Sequence, residues 1–431
     1  GCDPRGPEEY PPGPPAASAA EPAVVTGAPP GQFEASPAEP SQGKWRKARP
    51  MSLAEEEAAG LRAVPYLQGY KEAEERPVVV EHDPAAVFAR RDGLNLVVSG
   101  HAAEATLVDM RGKVLHRWRH PLRRLWPDLA SDPGAAKLEY WRRVHLFPNG
   151  DLLGIYEGLG IVKVNARSQV LWSLRGGFHH DLEVLENGEI WVLDREGKLL
   201  PRIHPTEGVL EDFVTVLSPD GEVLRKISLL ECFERAEGPG FKEVLARRPA
   251  SGDIFHTNTL EVLDGRFAGR HPAFRRGNLL LSVLKLDALA IVDPEQEKVV
   301  WARTGSWRKQ HQPTFLGVEG GNLLLFDNVG LGRDLSRVME IDPLTGRTVW
   351  QYGGQGVDLS SRTMGSCQRL PNGNTLITES ENGRAVEVTR DGRSVWEFYN
   401  PARAGDDGEL VAVLFEVVRL PGDFPFRGLI R

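Results

Sequence analysis

The 431-residue chain predicts an all-β fold: a six-bladed β-propeller with four-stranded antiparallel blades, preceded by a disordered N-terminal tether. Three observations carry this. Short apolar runs alternate with Gly-centred turns from about residue 77 onward, at a spacing of roughly 45–50 residues as in blade-type repeats. Tryptophan ends the outer hairpin in five of six copies, as Trp118, Trp172, Trp301, Trp350 and Trp396. Three distant stretches, Phe178-His179-His180-Asp181, Phe255-His256-Thr257-Asn258 and Gln310-His311-Gln312-Pro313, each open a repeat. A radial repeat is the architecture that gathers such strand starts around one axis.

Residues 1–75 form the tether and 76–431 the propeller. Pro11-Pro12-Gly13-Pro14-Pro15 and Pro29-Pro30-Gly31 enter neither a helix nor a sheet interior. The segment is too poor in aliphatic residues to offset its ordering entropy. Within 51–75, Ser52 and Glu55 read as a capping box for a short helix. Gly1-Cys2-Asp3 resembles the end of a lipoprotein signal. The expectation is an exported periplasmic or cell-surface lipoprotein, lipid-anchored through Cys2; an ordinary cysteine is the other reading.

The first repeat supplies Leu94 to Val98, Ala105 to Val108 and Val114 to Trp118. The second runs from Val144 to Trp172 around Pro148-Asn149-Gly150. The third runs from His180 and closes with Val214 to Leu217, Pro219-Asp220-Gly221 and Val223 to Ile227. The fourth spans His256 to Trp301, the fifth His311 to Trp350 and the sixth Gln368 to Trp396. Asn-Gly or Gly-Asn provides the positive φ of each inner turn. Leu410 to Leu420 reads as a strand that closes the ring on the first blade. Residues 121–141 and 229–255 are inserts outside this rhythm, and such inserts usually sit on one face near a binding site.

A hydrophobic content of 41% supports a core, and a charged fraction of 26% is ordinary for a soluble surface. A net charge of -8, with a pI near 5.9, argues against a nucleic-acid partner. No run of 18 or more apolar residues is present, so no helix is expected to span a membrane. Cys232 and Cys367 lie in separated repeats and are expected to be free, buried thiols.

Period-two alternation puts His180 at the level of Asn258, with His256 two residues earlier on the same side. His179 then points the other way, unless a bulge reverses the choice. Arg142 falls at the His180 level in the second repeat, and Gly365 there in the sixth leaves room for a ligand. A lone histidine is ordinarily a polar residue satisfied by backbone, and His82, His101, His116, His120, His145, His204 and His271 are read so. Three at equivalent places suggest either a zinc site or nucleophilic and acid–base catalysis. The spacings are not local ligand motifs and no repeated carboxylate sits beside them, yet composition alone does not decide between the two; no metal ligand is assigned.

These stretches resemble the bacterial arylsulfate sulfotransferase family, across roughly residues 140 to 400. The resemblance rests on His179-His180-Asp181, on Asp253-Ile254-Phe255-His256-Thr257-Asn258, and on Gln310-His311 leading to Phe326-Asp327-Asn328. It implies a six-bladed propeller that moves a sulfuryl group from an aryl sulfate to a phenol, without a nucleotide donor or other cofactor. It further implies that His311 is the nucleophile and that His256, Asn258 and His180 bind sulfuryl oxygens or shuttle the phenolic proton. Arg142 and His179 are further substrate-binding candidates. One position departs from the family: Leu284 stands in Leu281-Ser282-Val283-Leu284-Lys285 where the family carries arginine, and Lys285 should face away on a regular strand. A non-catalytic propeller binding a partner protein or anionic ligand is the alternative, with a metal-assisted hydrolase third.

Overall fold

The computed structural model describes residues 77–431, apart from 318–319, 333–334, 405–407, 409, 421–423 and 426–431, together with Trp45–Arg46. Cys2, the tether around Trp45–Arg46 and the helix expected within 51–75 lie outside the described residues. Trp45–Arg46 pairs with Val411 and Ala412.

Six antiparallel sheets make the ring. Blade 1 contains Leu94–Ser99, Glu104–Asp109 and Val114–Arg119, and receives its innermost strand, Leu414–Leu420, from the far end of the chain. This is the closure the sequence predicts, although Leu410–Ala412 joins a separate small sheet instead. The innermost strands of blades 2 to 6 are Trp141–Leu146, Leu182–Val184, Thr257–Val262, His311–Phe315 and Ser366–Arg369. Two blades exceed four strands. Gly252–Asp253 adds in parallel to Gly208–Leu217 of blade 3, and Val79–Glu81 covers the outer edge of blade 6.

The apolar runs follow from this stacking. A second strand such as Leu279–Val283 or Leu323–Asp327 is buried on both faces, so it is apolar without alternation. Six hydrophobic clusters result, one at each junction between neighbouring blades. The recurring tryptophans tie the junctions. Trp118, Trp172, Trp350 and Trp396 donate from Nε1 to the carbonyls of Gly150, Pro219, Arg390 and Met110, each in a turn of the next blade.

Inner strands also present free edges, which a sheet must cover. Here side chains of one blade accept from the backbone N–H groups of the next. Asp181 accepts from Leu260 at 3.0 Å, Thr259 from Gln312 at 2.9 Å and Gln312 from Cys367 at 3.1 Å. At the same level a polar belt crosses the axis. Arg143 bonds Asp181 at 2.8 Å and also Glu416, and Gln312 of blade 5 reaches across to Glu416 of blade 1 at 2.9 Å. On one side of this belt lie the strand starts that carry the histidines. On the other lies a cavity of about 790 Å³ lined by Thr314, Gln368, Val418 and Arg369, and none of the histidine cluster borders it.

The two inserts fold as short helices at the histidine end. They are Leu122–Leu125, Pro127–Ala130 and Pro133–Ala136, then Leu229–Glu234, capped by Ser228 Oγ at Glu231 N, and Pro239–Leu245. Phe233 of the second insert packs on Phe255, with ring centroids 5.2 Å apart, and so supports the residue before His256. Cys232 and Cys367 are buried free thiols.

Candidate active site

The histidine stretches leave regular strand geometry where they reach the axis. His180 and His256 have φ of 54° and 49°, in the left-handed region, and the strand beginning at His311 is bulged before Thr314. Alternation therefore does not extend to these side chains. The rings of His180 and His256 nevertheless meet, with centroids 4.9 Å apart. His179 stands behind His180, its Nδ1 2.9 Å from His180 Nδ1.

His311 is held by its neighbours on both sides. The Gln310 carbonyl accepts from Asn258 Nδ2 at 2.9 Å and from Ser282 Oγ at 3.0 Å, so blade 4 pins the strand of blade 5. Asn258 therefore commits one amide hydrogen to this bond. The His311 Nδ1–H donates to Asn328 Oδ1 at 2.8 Å and to the Lys309 carbonyl at 3.0 Å. Both partners accept, so the proton sits on Nδ1 and the lone pair on Nε2. That Nε2 is buried without a hydrogen-bond partner among the described residues, as are those of His179, His180 and His256.

Burial, helped by nearby positive charge, keeps three of the four rings neutral. Burial, with the charge of Arg142 beside it, pushes His311 down to about 3, against the opposing Asn328 bond. Burial, then the charges of Arg142 and the neighbouring histidines, holds His180 well below the usual histidine range; burial and Arg195 do the same for His179. Arg142 is 7% exposed, and its guanidinium lies 4.9 Å from the Phe415 ring. The charge of Arg142 thus acts on both His180 and His311.

Several groups were invisible to sequence spacing. Glu157, just past the second strand of blade 2, accepts from the His180 backbone N–H at 3.2 Å, and Arg195 lies 3.5 Å from its carboxylate. Asp253 grips His256 twice, at the backbone N–H (2.9 Å) and at Nδ1. Neither carboxylate recurs from blade to blade: one arrives from a turn and the other from an insert that carries no repeat signature. Gly365 is corrected, since a Cβ there would meet the Phe326 ring at 2.8 Å; the glycine serves packing rather than ligand space. Lys285 is not on a regular strand, because Leu284–Leu286 is a 3-10 turn, and its charge reaches Asp253. Outside the cluster, His82, His101, His116, His120, His204 and His271 have polar partners, while His145 packs on Phe147.

The fold and these side chains define a β-propeller with a buried polar site at one end of its axis. The chain belongs to the arylsulfotransferase (ASST) family, whose description matches residues 149–401. Membership supports arylsulfotransferase-type activity in general, with aryl sulfates and phenols as the small molecules it suggests. No curated protein matches the chain. Among solved structures, a Bacteroides caccae protein of unknown function is 13% identical, covering 76% of this chain and 99% of its own, with a TM-score of 0.49. A streptogramin B lyase is 12% identical over 82% of this chain and 96% of its own, with a TM-score of 0.43. A virginiamycin B lyase from Staphylococcus aureus is 10% identical over 74% and 88%, with a TM-score of 0.40.

Proposed function

We propose that the protein moves a sulfuryl group from an aryl sulfate to a phenolic acceptor through a sulfohistidine on His311. The observation that carries this reading is the state of His311: Nδ1 saturated by two acceptors, Nε2 buried and unpartnered, and the ring kept neutral. A neutral imidazole with its lone pair aimed away from its anchors is a nucleophile that needs no activation by a base. Its Nε2 attacks sulfur, and the S–O bond to the phenol breaks. His256, His180, His179, Asn258 and Arg142 bind sulfuryl oxygens or carry the phenolic proton; within the Nδ1-to-Nδ1 pair of neutral His179 and His180, the ring whose Nδ1 accepts is the one that donates from Nε2. No nucleotide donor enters this scheme. The proposal extends to an exported protein anchored through Cys2.

Intact-mass spectrometry after mixing with 4-nitrophenyl sulfate tests it. A sulfuryl-sized gain with release of phenol, absent in His311→Ala, is the expected result. Neither gain nor phenol favours the binding-propeller alternative.

One observation favours a metal-assisted second reading. The ligand atoms of Glu157, His179 and His180 lie within 4.8 Å of one another. Against it, Arg195 sits at the same carboxylate and the charge of Arg142 reaches His180, so a dication would meet two guanidinium groups. Zinc retained through dialysis, and lost in Glu157→Gln, would favour that reading.

A further inference from the structure

The four clustered histidines differ in what holds Nδ1. His311 faces two neutral acceptors, Asn328 and a carbonyl. His179 and His180 face each other. Glu157 lies 3.4 Å from His180 Nδ1, beyond the 2.9 Å contact that nitrogen makes with His179. His256 Nδ1 contacts the Asp253 carboxylate directly, and among the described residues it is the ring of the cluster with such a bond.

The structure places that carboxylate with care. Gly252–Asp253 is pinned in parallel to Val209 and Leu210, so Asp253 projects from a sheet rather than a loose loop. One oxygen fixes the left-handed backbone of His256 and the other its ring. Asp212 accepts from Thr257 N at 2.7 Å and secures the following residue. The Nε2 of His256 is left buried without a partner, its ring against that of His180.

We propose, on the sulfotransferase reading above, that Asp253 is a positioning residue that makes His256 the proton carrier for the phenolic oxygen. A carboxylate at Nδ1 holds the proton there and favours a second one at Nε2, the state that a general acid needs. Neutral acceptors at Nδ1 do the opposite for His311, whose lone pair must stay free. In the first half-reaction the His311 Nε2 pair forms the N–S bond, and the S–O bond electrons go to the phenolic oxygen. The Nε2–H of His256 gives that oxygen its proton. In the second, an acceptor phenol returns a proton to His256 Nε2, its oxygen attacks sulfur, and the N–S pair goes back to His311. Leu284, in place of a fixed cation, makes neutralisation of the leaving oxygen by a proton more important.

Asp253→Asn tests this with two donors. Asparagine still accepts from His256 N, but its other atom is an NH2 that turns a donor toward Nδ1 and imposes the wrong tautomer. Phenyl sulfate, whose leaving phenol is the stronger base, should lose about 10²–10³-fold in kcat, and 4-nitrophenyl sulfate less than about threefold. Equal losses on both donors, or no loss on either, overturn the proposal. If the variant does not fold, wild-type rates decide. Similar rates for the two donors support proton delivery, and a deficit of about 10³-fold for phenyl sulfate refutes it. A wild type inert to both donors sinks the transferase reading instead. Histidine-ring ¹⁵N NMR then judges the pair: a His256 Nδ1–H signal lost in Asp253→Asn supports it, and no such signal in the wild type overturns it.

Discussion

Asn328 reads the tautomer of His311. Its Oδ1 accepts from His311 Nδ1 at 2.8 Å, while its amide is immobilised on the carbonyls of Ser361 and Met364 at 2.7 and 2.6 Å. The amide cannot turn over without placing an NH2 against Nδ1 and an oxygen against two carbonyls.

Asn328→Asp should change the chemistry and also cost stability, because a carboxylate oxygen replaces the donor to the Ser361 and Met364 carbonyls. A carboxylate at Nδ1 raises the pKa of His311 from about 3, so a larger fraction is protonated near pH 6. Sulfation of His311 should slow about tenfold at pH 6 and recover as pH rises. Single-turnover phenol release across pH 5 to 9 checks this; a pH-independent loss would count against it.

Leu284→Arg restores the residue type the family carries. Leu284 is partly exposed and its N–H lies on the His256 carbonyl at 3.4 Å, beside the site. The expected effect is a KM for aryl sulfate lowered about tenfold, because a fixed guanidinium binds a tetrahedral oxyanion bidentately. Steady-state kinetics on one donor would show it, and an unchanged KM would place the missing contact elsewhere.

Arg143→Met strands Asp181 and Glu416 in the belt. Removing one partner of a buried ionic group should cost about 3–5 kcal/mol. Burial already raises Asp181 despite Arg143, and without the arginine it should rise further. Carboxylates raised in the folded state destabilise it progressively as pH climbs above their unfolded values. The deficit, measured by urea unfolding, should thus be larger at pH 8 than at pH 5.

Glu261→Gln should stabilise in one pH window. Burial, opposed by the Phe315 N–H it accepts at 3.0 Å, pushes Glu261 up to about 8, and burial pushes Glu183 to about 7. The folded state therefore loses stability as pH rises from about 4.5 to 8. Glutamine can accept the same bond without charge. Its melting temperature should exceed the wild type by about 2–4 °C at pH 9 and equal it at pH 5. Scanning calorimetry at the two pH values decides.

The ring was legible because its signals are local. Asn187-Gly188 and Asn372-Gly373 turns, runs such as Leu323 to Phe326 and the Trp396 type of ending each reflect one hairpin's own geometry. The site was legible only in part. His180, His256 and His311 stood out by repetition, and Arg142 by register. Glu157, Asp253 and Arg195 come from turns and an over-long hairpin that no repeat marks. Gly365 misled because a glycine on an inner strand looks like space, whereas Phe326 fills it. Lys285, expected to face away on a regular strand, is exposed on the turn that follows, because the strand ends at Val283.

The bond from Gln312 to Glu416 gives the ring a floor. On the transferase reading, aryl sulfate and phenol would then come and go from the histidine side of that floor, and a departing phenol would compete with the acceptor for the same space.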